Sequence, residues 1–328
     1  MRTNPRTPRR QDGRQRGFTL PEILIALSII SLITVVTLGA IGPWLDFRQK
    51  LETERKLNEV KEGLTTYYRN NAFALETVTT DTFGPFVEAT VSGAGVCNSQ
   101  GAAFSVLGFS LSDSGDKAAL DGYGNAFCVF ISPQRTRAID GTSLYYRTVA
   151  VVSTGSNGSL DPGTRINPTT DALELAGDDQ GITISGLGIQ QEKYYATIRR
   201  LERVAEMYET YFTTRFLQAA DRDISRYYFS TTYDASGAVA STNNVYSAVF
   251  PAMQNIGVSP DLGKTAWEIN NDIVFNNHNG AALGAGLPAP RTPATTGITA
   301  LPYTAVIAAR VPAPGAARYI VRVAVGNY

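Results

Sequence analysis

Gly17-Phe18-Thr19-Leu20-Pro21-Glu22 stands at the head of an unbroken run, residues 23–45, that carries no formal charge. The run is 23 residues long. As a helix rising about 1.5 Å per residue it reaches roughly 34 Å, enough to cross a hydrocarbon layer of about 30 Å. Ahead of it, Arg2, Arg6, Arg9, Arg10, Arg14 and Arg16 outweigh Asp12. So basic a leader is held on the cytoplasmic side, which sends everything beyond Leu45 outward. Trp44 and Arg48 suit the far interface. An ordinary secretory signal has a shorter apolar core and a small-x-small cleavage site, which Leu38-Gly39-Ala40 fits poorly. The Arg9-Arg10 pair is followed by Gln11-Asp12, where a twin-arginine signal requires apolar residues. Glu22 sits at the edge of the span, where a carboxylate is costly to bury and takes a partner.

The basic leader, Gly17, Phe18, Glu22 four residues on, and the apolar helix together resemble the precursors of bacterial type IV pilins and type II secretion pseudopilins. The resemblance covers the leader and the apolar helix, so it points to a class and not to a member. It implies a prepilin peptidase/methyltransferase that cuts after Gly17 and methylates the new N-terminal Phe18. It further implies that Glu22 pairs with the free amine of Phe18 on another subunit, so that processing licenses assembly. The implied partners are other pilin subunits, in a homo- or heteropolymer, and an inner-membrane assembly platform. The implied location is the inner membrane, single-pass with the C-terminus outside, and then an extracellular or periplasmic filament. Gly39, Gly42 and Pro43 interrupt the span at costs of about 1 kcal/mol for glycine and 3 kcal/mol for proline in a helix interior. They mark a kink, the exit from the bilayer or, as the resemblance implies, a stretch that melts on assembly.

The expected fold is α+β and pilin-like: a long N-terminal helix, half transmembrane and half packed on an antiparallel sheet, with a second pilin-like αβ lobe. The domain reading is 1–17 cleaved cytoplasmic leader, 18–74 N-terminal helix, 75–188 first β-rich lobe and 189–328 second helix plus β lobe. Leu57, Val60, Leu64 and Tyr68 recur at helical spacing. Strands are expected at 86–91, 104–111, 126–132 and 145–153, with Gly, Asp, Asn and Ser clustered between them. A second helix is expected over 189–228, lined by Leu201, Ala205, Tyr208, Phe212 and Phe216. Residues 55–62 and 199–206 align at an offset of 144, and 128–130 aligns with 273–275 at 145. Residues 319–325 are similar to 145–152. This order of helix, loop and strand points to a duplicated unit whose second copy lacks an anchor.

Cys97 and Cys128 fall outside the cytoplasm under this topology, so a disulfide is expected. Leu120-Asp121-Gly122-Tyr123-Gly124-Asn125-Ala126-Phe127 resembles the Asp-Pro-Trp-Gly-Asn-Pro-Tyr turn of major pseudopilins, with Gly122, Tyr123 and Ala126 departing from it. Some of those proteins bind calcium in a later loop. Here residues 156–179 hold Asn157, Asp161, Asp171, Asp178 and Asp179, hard oxygen donors compatible with calcium; Asp161, Asp178 and Asp179 are the candidates.

Catalysis finds little footing, and no enzymatic function is expected. His278 is the single histidine, which excludes a histidine-based metal cluster. Ser114-Gly115-Asp116-Lys117 matches Ser-x-x-Lys only at two fixed positions. The stretch 257–265 ends Gly263-Lys264-Thr265, but its glycine spacing is one residue too long for a phosphate-binding loop. Removing the leader leaves 23 basic and 28 acidic residues, a mildly acidic chain with no general electrostatic case for nucleic acid. Arg199, Arg200, Arg203, Arg215, Arg222 and Arg226, interspersed with tyrosines, keep a DNA contact open for a competence-type pilus, but six acidic residues dilute them. The Gly-, Ala- and Pro-rich stretch 276–297 reads as an exposed loop that could meet a host surface or a neighbouring subunit.

Overall fold

The computed structural model describes residues 19–328 except 81, 94, 112–114, 225, 227, 230–255, 260, 268–272, 278–302 and 316–317. Gly17, Phe18, Ser114, His278 and most of the expected 276–297 loop therefore lie outside the described residues. Two compact units follow from the contacts, divided between Leu51 and Glu52.

Helix α1 is Leu20–Thr77. At its start Glu22 reaches back to Thr19, whose amide and hydroxyl both donate to Glu22 Oε2 at 2.9 Å. Pro21 lies in the first turn, where its missing N–H costs nothing. Through the first unit the helix is exposed on every side, with Ile23, Leu24, Leu27, Ile30 and Val35 all about half exposed or more. A helix that is apolar all round belongs in lipid. Its hydroxyls do not spoil this, because Ser28, Thr34 and Thr37 donate to the carbonyls of Leu24, Ile30 and Ile33 at 2.7–2.8 Å. The helix continues through Gly39, Gly42 and Pro43.

In the second unit α1 buries one stripe, Thr53, Leu57, Val60, Leu64, Tyr68 and Ala72. Short elements follow: α2 (Gly101–Phe104), then β1 (Cys128–Ile131), β2 (Arg135–Ile139), β3 (Thr142–Tyr146), β4 (Thr148–Ser153), β5 (Arg165–Ile166), β6 (Leu173–Glu174) and β7 (Gln180–Ser185). The first sheet is antiparallel in the order β1-β4-β7. Its central strand β4 is buried throughout, because Val149 and Val151 join the core with α1 while Val152 packs with Cys97 and Cys128 on the opposite face. Helix α3 (Gly186–Gln218) and strands β8 (Val274–Asn277), β9 (Thr304–Val311) and β10 (Arg318–Val325) complete the fold, the second sheet running β8-β9-β10. The α+β, pilin-like architecture expected from the sequence is what forms.

Two expected strands do not appear. Over 86–91 only isolated bridges form, Phe83 to Phe86 and Val91 to Cys97, because the Gly84-Pro85 turn folds both phenylalanines back into the core. Over 104–111 the chain is α2 followed by a 3₁₀ stretch, Ser105–Ser110; Phe104 and Leu107 are both buried, a spacing of three that a helix and not a strand satisfies. Helix α3 also ends ten residues earlier than expected: the chain turns extended at Ala219, and Arg226 instead pairs with Asp221 and Asp223.

The two helix-sheet pairs repeat the same contacts. At an offset of 144, Leu57, Val60, Leu64, Tyr68 and Ala72 correspond to Leu201, Val204, Tyr208, Phe212 and Phe216, and all ten are buried. The Gly122 amide donates to Thr53 Oγ1 at 3.0 Å, and the Ala266 amide to Thr197 Oγ1 at 3.0 Å. Lys56 Nζ donates to the Leu120 carbonyl at 3.1 Å, and Arg200 Nη1 to the Lys264 carbonyl at 3.0 Å. In each case a helix grips the turn that leads into its own sheet. The Gly263-Lys264-Thr265 lookalike of a phosphate loop is one of these two turns, and Thr265 is buried.

The last turn of α1 buries Leu75 and Glu76 before the chain emerges at Val78, and the carbonyls on that inward side need donors. Arg147, 1% exposed, supplies them. Its Nη1 donates to the Leu75 carbonyl at 2.7 Å and faces Glu76 Oε2 at 3.2 Å; its Nη2 donates to the carbonyls of Val78 and Thr80 at 3.1 and 3.0 Å. Gln134 Nε2 donates to Glu76 Oε2 at 2.8 Å, and Tyr68 donates its hydroxyl to Glu76 Oε1 at 2.5 Å. Burial, then the Glu76 charge, push the Tyr68 hydroxyl well above its ordinary pKa, so it remains a donor. Gly186 opens α3 directly against the Tyr68 ring, where any Cβ would overlap it. Breaking a buried ion pair costs about 3–5 kcal/mol. Arg147→Met should lower unfolding free energy in urea by that amount; a loss under about 1 kcal/mol would show that the clamp does not hold α1 in place.

Candidate functional site

Among the described residues, two places bring chemistry together. The first is the start of α1. Both Thr19 bonds land on one oxygen of Glu22, which orients the carboxylate toward the helix start. Gly17 and Phe18, the expected cleavage and methylation positions, lie outside the described residues.

The second is the loop between β4 and β7. One carboxylate oxygen from each of Asp161, Asp178 and Asp179 lies within 4.8 Å of the others. Two ligands of one calcium ion, each at about 2.3–2.6 Å, are separated by no more than about 5 Å. The loop backbone holds each carboxylate by one side. Asp178 Oδ2 accepts from the Ser156 amide and hydroxyl at 2.7 and 2.8 Å and from the Asn157 amide at 3.2 Å. Asp179 Oδ2 accepts from the Asp161 amide at 3.0 Å and Thr164 Oγ1 at 2.6 Å. Asp161 Oδ2 accepts from the Asp178 amide at 3.1 Å.

The opposite oxygens carry the signal. Asp178 Oδ1 and Asp179 Oδ1 are buried with no hydrogen-bond partner among the described residues, and Asp179 as a whole is 7% exposed. An orphaned buried carboxylate oxygen is expensive unless a cation or water meets it. Burial raises the Asp179 carboxyl above its ordinary pKa, and the charges of Asp161 and Asp178 add to the rise. Burial also opposes ionisation of Asp178, but the Ser156 and Asn157 hydrogen bonds outweigh it and hold that group below its usual value. Gly155, at φ 63°, permits the loop to close: a Cβ there would lie 2.6 Å from Asp178.

Asp161, Asp178 and Asp179, separated by up to 18 positions, thus converge in space. The hairpin β5-β6 brings them together, pairing Arg165 with Glu174 and Ile166 with Leu173. Asn157 reaches the cluster only weakly, its Nδ2 3.5 Å from Asp161 Oδ1, and Asp171 is drawn off to an ion pair with Arg135 at 3.1 Å. Behind the loop stands Asp121, 2% exposed, which sequence reading treated only as part of a turn. It accepts from the Tyr123 and Asn125 amides at 2.9 and 2.8 Å and from Ser153 Oγ at 2.6 Å. Its Asp-Gly neighbours read as turn chemistry, and nothing local distinguishes a buried acceptor from an exposed one.

Cys97 and Cys128 form the expected disulfide, with Cα atoms 5.4 Å apart. It ties the segment before α2 to the edge strand β1. Of the α3-region arginines considered for DNA, Arg200 is engaged by Lys264, Arg203 by Glu206, Arg215 by Tyr211 and Arg226 by Asp221.

Among the described residues one helix is long and apolar enough to cross a membrane, and with the antiparallel sheets of an α+β chain it is consistent with a pilin-like fold. The prokaryotic N-terminal methylation motif matches residues 12–38, so the chain carries the type IV pilin and pseudopilin prepilin signature. That motif implies processing by a prepilin peptidase and assembly with other pilins, and the apolar helix accords with inner-membrane insertion. No curated protein and no solved structure matches the chain.

Proposed function

We propose that this protein is a structural, non-enzymatic subunit of a type IV pilus or related pilus-like filament. It is made as a prepilin, cleaved after Gly17, N-methylated on Phe18 and assembled through its N-terminal helix. The methylation motif at 12–38, joined to an apolar helix that begins at Leu20, carries the reading. In it the chain stays in the inner membrane with its C-terminus outside until assembly. Glu22 then meets the Phe18 amine of a neighbour: Thr19 occupies Oε2, leaving Oε1 for that contact. A pseudopilin of a type II secretion system would use the same residues. An adhesive or DNA-binding minor pilin is the other alternative, and the ion-paired arginines near α3 do not favour the DNA form. Glu22→Ala should preserve cleavage and membrane insertion while abolishing filaments in sheared fractions. Normal filament yield from that variant would refute the pairing.

A second reading concerns the acidic loop. Calcium there is favoured by the orphaned oxygens of Asp178 and Asp179. Asp161, Asp178 and Asp179 would hold the ion, which supplies charge neutralisation and loop order, with no catalytic role. Calcium at about a hundredfold its dissociation constant should stabilise the protein by about 2.7 kcal/mol in thermal unfolding. Asp179→Asn should remove that increment. An unfolding curve indifferent to calcium, or an increment unaffected by Asp179→Asn, would rule the site out.

We further infer that 52–185 and 186–328 are two copies of one αβ unit, the second without an anchor. Support comes from the contacts repeated at an offset of 144. Each threonine accepts from a turn amide, so Thr53→Val and Thr197→Val should each cost about 1–3 kcal/mol in urea unfolding. A substantial loss from one and none from the other would mean the two bonds are not equivalent parts of a repeat.

A further inference from the structure

We propose that a divalent cation in the acidic loop tightens the grip of α1 on the Asp121 turn through one hydrogen-bonded relay, and that the duplicate grip on α3 is insensitive to it. The proposal rests on the calcium reading of that loop.

The relay can be followed atom by atom. The Ser156 amide and hydroxyl hold Asp178 Oδ2 at 2.7 and 2.8 Å. Gly155, the preceding residue, lies under the Asp178 carboxylate, so a shift of that side chain toward a cation bears directly on the Gly155 backbone. The Gly155 carbonyl accepts from Asn125 Nδ2 at 2.9 Å, and its amide donates to Ser153 Oγ at 3.2 Å. Ser153 Oγ donates to Asp121 Oδ2 at 2.6 Å, and Asp121 Oδ1 accepts from the Tyr123 and Asn125 amides. The turn so shaped presents the Gly122 amide to Thr53 Oγ1 and the Leu120 carbonyl to Lys56 Nζ, both on α1.

Thr53 and Ser153 are fully buried and Asp121 is 2% exposed. In so dry a setting each bond is electrostatically strong and each misalignment expensive, so the links move together. Burial already raises the Asp121 carboxyl, which leaves the turn dependent on its donors from Ser153, Tyr123 and Asn125. A cation that prefers the ordered loop therefore also prefers the closed grip, and by reciprocity an open grip weakens cation binding.

The second copy supplies an internal control. Its grip has the same helix bonds, Thr197 with Ala266 and Arg200 with Lys264. Thr265 stands where the first copy has Asp121. Sheet order matches the central strand β9 to β4 and the edge strand β10 to β7, which corrects the sequence match of 319–325 to 145–152. Strands β9 and β10 are joined by residues 312–317, where β4 and β7 are separated by 154–179, so the connection that carries the acidic loop in the first copy is short in the second.

Hydrogen exchange read by mass spectrometry on the full chain in detergent micelles tests this, with calcium chloride, with magnesium chloride and with neither. Calcium should slow exchange of peptides covering 120–125 by about 5- to 150-fold, the ordinary range of coupling between sites. Peptides covering 264–267 should be unchanged. Asn125→Ala, which leaves all three aspartates in place and cuts the Asn125 branch of the relay, and Asn125→Ala with Ser153→Ala, which cuts both branches, should bind calcium as before by calorimetry. The first should lose part of the slowing at 120–125 and the second all of it. Calcium binding without slowing at 120–125, or equal slowing of both turns, overturns the relay while sparing the site. Absence of calcium binding in calorimetry overturns the site and the relay with it.

Discussion

The fold depends on closing the inward side of one helix end. Helix α1 is apolar over residues 23–45 and amphipathic further on, and its last turn faces the core at Leu75 and Glu76 before the chain emerges at Val78, so the carbonyls on that inward side need donors. Arg147 is the answer: one guanidinium, almost wholly buried, meets the carbonyls of Leu75, Val78 and Thr80 and is neutralised by Glu76. Glu76 in turn takes Tyr68 and Gln134, and Tyr68 is the ring against which α3 begins. The charge pair is thus less an attraction than a junction. It fixes where α1 stops, where β4 starts at Thr148, and where α3 enters.

From that junction the chain applies one solution twice. A buried threonine on each helix holds the amide of the turn that feeds its sheet, and a long basic side chain one turn on holds a carbonyl of the same turn. The two copies diverge where function would separate them. The first is preceded by the apolar span and carries the acidic loop; the second has neither, and α3 instead packs on Trp267 and reaches back through Gln190, whose Nε2 donates to the Ala72 carbonyl of α1. On the duplication proposed above, one anchor carries two copies of the unit, an arrangement that suits a filament subunit with an enlarged head.

Much of this was legible in the sequence because it is local. The apolar run, the stripe from Leu57 to Tyr68 and the body of α3 each declare themselves within a few turns. The pairing of Cys97 with Cys128 followed from compartment alone. What was illegible is non-local or ambiguous in period. Residues 104–111 are apolar enough for a strand, yet burial at Phe104 and Leu107 selects a helical path. Arg147 and Glu76 stand 71 positions apart and look, in sequence, like two surface charges. Asp161 and the Asp178-Asp179 pair were found as donors of the right chemistry, but only the β5-β6 hairpin reveals that they share a point in space. Asp121 passed as a turn residue because the same Asp-Gly pattern serves exposed and buried turns alike.

The central claim is that the junction at Gly17 and Phe18 is a processing site and not only the start of a membrane anchor. Mass spectrometry of the N-terminus, on membrane and sheared extracellular fractions from cells that express the native chain and an active prepilin peptidase, tests it most directly. A filament subunit yields N-methylated Phe18 as the first residue of the sheared material. An intact Met1 terminus confined to membranes would contradict it, leaving a simple anchored domain whose resemblance to prepilins ends with its sequence.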